Sequence, residues 1–131
     1  MSKTVITYGT FDMFHIAYLR LIQRLPLLGD RLIVAVSTDE FNLQKGKQVL
    51  IPFEQRAEIV AAIAGVDMVI PETSWKQKKF DIDAYNVDVF AIGYAASGKI
   101  GAKESVDLFI RYTFRHIAGL LRCVDASYPV S

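Results

Sequence analysis

Residues 8–18 read YGTFDMFHIAY and place a glycine, a hydroxyl and an imidazole in quick succession. Gly9 permits close backbone approach, Thr10 offers a hydroxyl, and His15 stands where a helix would begin. An anion held there would meet free backbone donors and the positive end of a helix dipole. Three residues on comes Tyr18, a neutral phenol that can donate one hydrogen bond but supplies no imidazolium charge. In FNLQKGKQ, Lys45 and Lys47 flank a glycine, a pattern suited to a mobile loop that carries two cations over phosphate groups. Arg56, early in FEQRAEIVAAIAG, adds a guanidinium. Each group also has a plain reading: His15 as a helix-start polar residue, the lysine pair as a solvated loop, Arg56 as a surface side chain. Phe11, Phe14 and Trp75 read as core aromatics more often than as platforms for a base.

Strands and helices must alternate to bring these groups together. TVITYG (4–9), RLIVAVST (31–38), VDMVIPE (66–72) and VDVFAIG (87–93) are short apolar runs of the kind found in strands covered on both faces. Between them HIAYLRLIQRL (15–25), FEQRAEIVAAIAG (53–65) and SWKQKKFDIDAYN (74–86) carry helical spacing. Pro26 should end or kink the first helix near Leu25. This order predicts right-handed crossovers in a single domain over 1–131, a Rossmann-like three-layer α/β/α fold. The segment 94–105 reads as a loop, 106–114 as the fifth strand of a parallel five-stranded sheet, and 116–124 as a short helix. In such a sheet, ligands collect at the carboxyl ends of the strands, which points to 9–15, 39–52, 93–99 and 112–120.

Composition narrows the function. The 131 residues are 52% hydrophobic and 22% charged, enough apolar material for one core, and the formal charge is only +1. A dedicated nucleic-acid surface is therefore not expected. The single cysteine, Cys123, excludes an internal disulfide and a cysteine-based zinc cluster. No apolar run approaches the ~18 residues of a membrane span and no secretory h-region opens the chain, so a cytoplasmic location without membrane attachment is expected. His116 and Cys123 would share a face of the last helix, as a base and nucleophile pair or simply as a helix-start residue and a buried hydrophobe.

VITYGTFDMFH, GDRLIVAVSTDEFNLQKGK, FEQRAEIV, VDMVIPE and VDVFAIG together resemble the glycerol-3-phosphate cytidylyltransferases, in matching order from residue 4 to about 93. The resemblance implies transfer of a cytidylyl group from CTP to glycerol 3-phosphate with release of pyrophosphate, assistance by Mg²⁺ and a homodimer. It implies that Gly9, Thr10, Phe11, His15 and Gly93 border the nucleotide, that Lys45 and Lys47 contact phosphates, and that Arg56 is an arginine of the site. No residue is assigned to the metal.

The chain departs from that family where chemistry is concentrated. The signature H-x-G-H is HIAY here, with Ala17 at the glycine and Tyr18 at the second histidine. The acidic, tryptophan-bearing loop after the fourth strand is replaced by GYAASGK, including Tyr94, Ala95 and Ala96. A C-terminal arginine and hydroxyl motif aligns with TFRHIAG, putting Thr113 at the arginine and leaving Arg115 and His116 beside it. Such changes would make the pocket larger, less charged and more apolar. Three functions fit this pattern. They are a cytidylyltransferase with lost or impaired activity, a repurposed or engineered scaffold for another small molecule, and a non-catalytic dimeric module.

Overall fold

The computed structural model describes residues 2–95, 108–115 and 121–128, with backbone pairing alone beyond Ala91. The elements run β1 (Thr4–Gly9), α1 (Ile16–Arg24), a 3-10 turn (Leu25–Leu28), β2 (Arg31–Ser37), α2 (Asp39–Gln44), α3 (Phe53–Ala61), β3 (Met68–Glu72), α4 (Gln77–Ala84), β4 (Val89–Ala95), β5 (Leu108–Arg115) and β6 (Leu121–Tyr128). They form one sheet in the order β3-β2-β1-β4-β5-β6. Strands β1 to β4 are parallel, with Ile6 opposite both Ile33 and Phe90. The fold is thus the Rossmann-like α/β arrangement that the alternating pattern predicts.

Alternation within each strand builds a core on both faces of the sheet. Val5, Leu32, Val34, Val36 and Val89 face Leu21 and Ile22 of α1, Leu25 and Val60 of α3. Their neighbours Ile6, Ile33, Ala35, Ile70 and Phe90 face Ile82 of α4 and Val87. Burying one such aliphatic side chain stabilises the fold by roughly 1.5–3 kcal/mol, so these two layers hold the strand ends in place. Pro26 acts as expected: α1 stops at Arg24, and the proline sits in the first residues of the 3-10 turn, where a missing N–H costs nothing. Among the described residues no helix is long and apolar enough to cross a membrane.

The sheet corrects two expectations. Its parallel part has four strands, not five, because β5 runs antiparallel to β4 and β6 antiparallel to β5. A fifth parallel strand needs a crossover helix, and no helical periodicity lies between 94 and 105, so antiparallel pairing is the connection open to the chain. Residues 121–124, expected in a helix, lie in β6, which satisfies the backbone groups that β5 would otherwise present as an open edge. Cys123 stands opposite Thr113 in that pairing, so it shares no helical face with His116, which lies outside the described residues. Tyr94 and Ala95, expected in a loop, are the last residues of β4.

Candidate functional site

The turn that leaves β1 is the most tightly specified part of the site. Phe11 (φ 53°) and Met13 (φ 48°) both adopt the left-handed region, a conformation that costs of order 1–3 kcal/mol per non-glycine residue and persists only where surroundings enforce it. Enforcement here is visible. The Phe11 ring is buried and lies across Gly9, where a Cβ would come within 2.8 Å of two ring carbons. Gly9 therefore makes room for this ring. The Asp12 carboxylate accepts backbone N–H groups from Met13 at 3.1 Å, Leu50 at 2.9 Å and Ile51 at 3.0 Å. Burial pushes its pKa up, but these donors and the charge of Arg56 outweigh that and hold it below the usual carboxylate range.

His15 caps α1. Its Nδ1 accepts the N–H of Ala17 at 3.3 Å, so a neutral ring carries its proton on Nε2, and the side chain is exposed. The Tyr18 ring lies 4.2 Å from the His15 ring, centroid to centroid, and is tilted by 34°. It also meets Phe11 edge-on at 5.5 Å and Phe14 at 5.7 Å. Tyr18 is half-buried, and burial, aided by the Asp12 charge, pushes its phenol above the ordinary value. It stays neutral throughout the physiological range. Ala17 is half-buried in the first turn of α1.

Arg56 is not the surface residue that its place early in a helix suggests. It is 1% exposed. Its Nε donates to the Ile51 carbonyl at 2.7 Å, one terminal nitrogen donates to the carbonyls of Thr10 at 2.8 Å and Ser37 at 2.7 Å, and the other pairs with Asp39 at 2.6 Å. One guanidinium thus joins the ends of β1 and β2 to the segment before α3. Asn42 adds a second tie: its amide donates to the Thr38 carbonyl at 3.0 Å while its oxygen accepts the Thr10 hydroxyl at 3.0 Å. With four of its five donors engaged by the protein, Arg56 positions the site.

The segment 39–52, expected as a mobile loop, begins with α2. Thr38 caps it by accepting the Phe41 N–H at 3.2 Å, and Asp39 and Glu40 complement the dipole in its first turn. Lys45 is its C-cap and is half-buried, and Lys47 is exposed beyond Gly46, whose φ of +74° makes the turn. The Lys45 ammonium donates to Ser37 Oγ at 2.9 Å and lies 3.9 Å from the Glu72 carboxylate. Burial pushes its pKa down, and Glu72 only partly offsets this. Glu72 is itself buried at the end of β3, accepting the Ser37 hydroxyl at 2.7 Å and pairing with Lys78 at 3.5 Å. Beside it the Tyr8 hydroxyl donates to buried Asp81 at 2.8 Å, and burial, then this bond, drive the phenol's pKa far up. None of Glu72, Lys78 or Asp81 stood out in the sequence; Glu72 closing a strand beside Pro71 was the one available signal.

The structure brings together Gly9, Thr10, Phe11, His15, Ala17, Tyr18, Lys45 and Arg56 around the ends of β1 and β2. Gly93 lies in β4 opposite Ile110, Thr113 in β5 opposite Phe90, and Arg115 ends β5 opposite Leu121. Thr113 and Arg115 are therefore strand residues and not part of a helix-start motif. Ala96, like His116, lies outside the described residues. Among the described residues no three His, Cys, Asp or Glu side chains gather as a metal cage.

Comparison with known proteins identifies the family. The cytidylyltransferase-like family model matches residues 6–129. The glycerol-3-phosphate cytidylyltransferase of Bacillus subtilis (strain 168) is 53% identical over 97 residues, covering 74% of this chain and 75% of that protein. That of Staphylococcus aureus (strain NCTC 8325 / PS 47) is 46% identical over 97 residues, 74% of each chain. A solved structure, the lipopolysaccharide core biosynthesis protein from Thermoplasma volcanium GSS1, superposes with a TM-score of 0.66 at 23% identity. It covers 76% of this chain and 80% of that one, and shares the fold. A family match spanning nearly the whole chain, together with half-identical relatives, places this chain in the cytidylyltransferase-like family.

Proposed function

We propose that the chain is a nucleotide-binding domain of the glycerol-3-phosphate cytidylyltransferase type in which group transfer is severely impaired. CTP would lie over the β1 to α1 turn, with its phosphates toward the start of α1, His15, Lys45 and Lys47. The reaction of this type is in-line attack by an acceptor phosphate oxygen on the α-phosphorus. The bond to pyrophosphate breaks as the new phosphoanhydride forms, so the protein's part is to position both molecules and offset growing negative charge. His15 can donate through Nε2, and the N–H groups opening α1 add to the field. Tyr18 carries the reading of impairment. Its ring is packed against Phe11, Phe14 and His15, and its phenol stays neutral, so it withholds the positive charge of a second imidazolium.

A resident Mg²⁺ does not suit the nearby carboxylates. Both Asp12 oxygens accept backbone N–H groups, and those of Asp39 are held by Arg56 and the Phe53 N–H. Mg²⁺ is therefore proposed only as a companion of the nucleotide phosphates. Homodimerisation and work in the cytoplasm belong to the same reading, as expectations from the resemblance and from the sequence.

The test is to incubate the purified protein with CTP, glycerol 3-phosphate and Mg²⁺ and follow pyrophosphate release. Losing one preorganised donor costs about 10²–10³ in rate, so release should fall far below an ordinary ~10 s⁻¹. Joint replacement Ala17→Gly and Tyr18→His should restore part of it. Turnover near ~1 s⁻¹ by the unaltered chain would overturn the impairment.

A further inference from the structure

Strand β3 ends the sheet, and among the described residues it pairs with β2 alone. An open edge of this kind presents backbone donors and acceptors that can take up another strand. At its far end the chain supplies a substitute. The Gln77 carboxamide accepts the Thr73 N–H at 2.7 Å and donates to the Pro71 carbonyl at 2.6 Å, two bonds on either side of Glu72 such as a neighbouring strand would make. Met68–Ile70, upstream of that clasp, pair with β2 on one side. Beside the edge runs a groove of about 500 Å³, with Ile70 and Pro71 on the β3 wall, Gln77 and Phe80 on the α4 wall, and Tyr85 completing it. Phe80 is 72% exposed, a large aromatic surface left to water. Lys76 also lines the groove, one turn before Phe80 on the same face of the helix, and Lys79 is exposed next to it.

We propose that this groove takes an extended, acidic segment of a partner protein, added as a strand to the edge of β3. An apolar side chain would lie between Ile70 and Phe80, and a carboxylate two residues away would meet Lys76. The spacing fits, because two residues along a strand advance about 6–7 Å and side chains four apart on a helix stand about 5–6 Å apart. The charge fits too. Asp81, in the groove wall, is buried and turned to the Tyr8 hydroxyl, and Asp83 stands one turn beyond Lys79, so the rim near Phe80 is basic. A second copy docked edge to edge would bring its own Lys76 and Lys79 against these, and like charges oppose that occupant. A bilayer surface can reach Phe80 but cannot bond the edge of a strand. The inference is independent of the nucleotide site.

Titration of the isotope-labelled full chain with the peptide acetyl-Thr-Ile-Thr-Glu-Thr-amide, followed by amide NMR shifts, tests it. Shifts should concentrate in β3 and along α4. Phe80→Ser should weaken binding by roughly tenfold, the scale of an interface anchor. Lys76→Glu with Lys79→Glu should weaken it by about tenfold at low salt and less as salt rises. All three side chains are exposed, so these variants should fold. Of two peptides N-methylated at alternate residues, the one blocked toward β3 should lose binding and the other should keep it. Equal binding by both would overturn strand addition. Unshifted signals at millimolar peptide, or an affinity unchanged by Phe80→Ser, would overturn the inference. So would co-sedimentation with phosphatidylglycerol vesicles without any response to peptide, which would assign the patch to a membrane surface.

Discussion

Replacing Arg56 should unfold the site and much of the domain's stability with it. Arg56→Met keeps an apolar stem of similar length but deletes the guanidinium, and the loss can be followed bond by bond. The Ser37 carbonyl is buried and keeps only a long 3.4 Å contact with the Asn42 amide. The carbonyls of Thr10 and Ile51 are partly buried and lose the side chain that joined them. Asp39 is 41% exposed at its side chain, so water takes over most of what it loses. Three carbonyls left short at about 1 kcal/mol each, with a smaller contribution from Asp39, give a loss of about 3–4 kcal/mol. This is a large part of the ~5–15 kcal/mol that holds a domain together. Urea unfolding followed by far-ultraviolet circular dichroism measures it, the midpoint falling at unchanged slope. Arg56→Lys should recover less than half, since one ammonium cannot span four acceptors in the guanidinium plane. A loss under about 1 kcal/mol for Arg56→Met, or full recovery with lysine, would refute the bond-by-bond reasoning.

Thr7 on β1 is fully buried, and its hydroxyl finds no hydrogen-bond partner among the described residues, so Thr7→Val should raise stability by about 1 kcal/mol in the same urea assay. A lower midpoint for the valine variant would mean that the hydroxyl is satisfied after all. The Asp12 carboxylate has a folded pKa below its unfolded value, so the stability it contributes is present above about pH 4 and lost as pH falls through the depressed folded value. Asp12→Asn should accordingly lower the urea midpoint at pH 7, and the gap to the unaltered chain should shrink as the pH falls below the usual carboxylate range; a gap that stays constant through acid would contradict the linkage. Sedimentation at micromolar concentration should give the mass of a dimer, and a monomer would count against the homodimer that the resemblance implies.

The parts of this fold legible in the sequence are those set by local chemistry. Thr4–Gly9 is a strand from end to end because β-branched residues fill it and glycine stops it. Pro26 marks the end of α1 for an equally local reason. Helix α2 escaped because six residues are too few to show a period, although Thr38 followed by Asp39 and Glu40 is a legible start signal. Residues 121–124 read as helix because Leu120, Leu121 and Val124 fall at helical spacing, yet pairing with β5 decides their state, and no local pattern reports an open sheet edge. Arg56 shows the limit in the site itself. Its partners lie at residues 10, 37, 39 and 51, so its burial exists only once two strand ends and a distant segment have converged.

The groups that shape this site and the groups that would do its chemistry are different residues, and that separation lets the scaffold stay intact whatever the transfer activity. Arg56, Asp12 and Asn42 hold mainly backbone atoms, so the turn after β1 keeps its shape whatever stands at position 18. Position 18 is not idle, however. Two left-handed non-glycine residues strain that turn, and aromatic pairs worth about 0.5–1.5 kcal/mol each pack Tyr18 against Phe11 and Phe14 to offset the strain. A histidine there would exchange part of that packing for a charge. Charge at a buried aromatic turn costs stability when no phosphate is present and repays it only when one is bound. Tyr18 resolves this exchange in favour of aromatic packing over charge at the turn, which is the arrangement on which the proposed impairment of transfer rests.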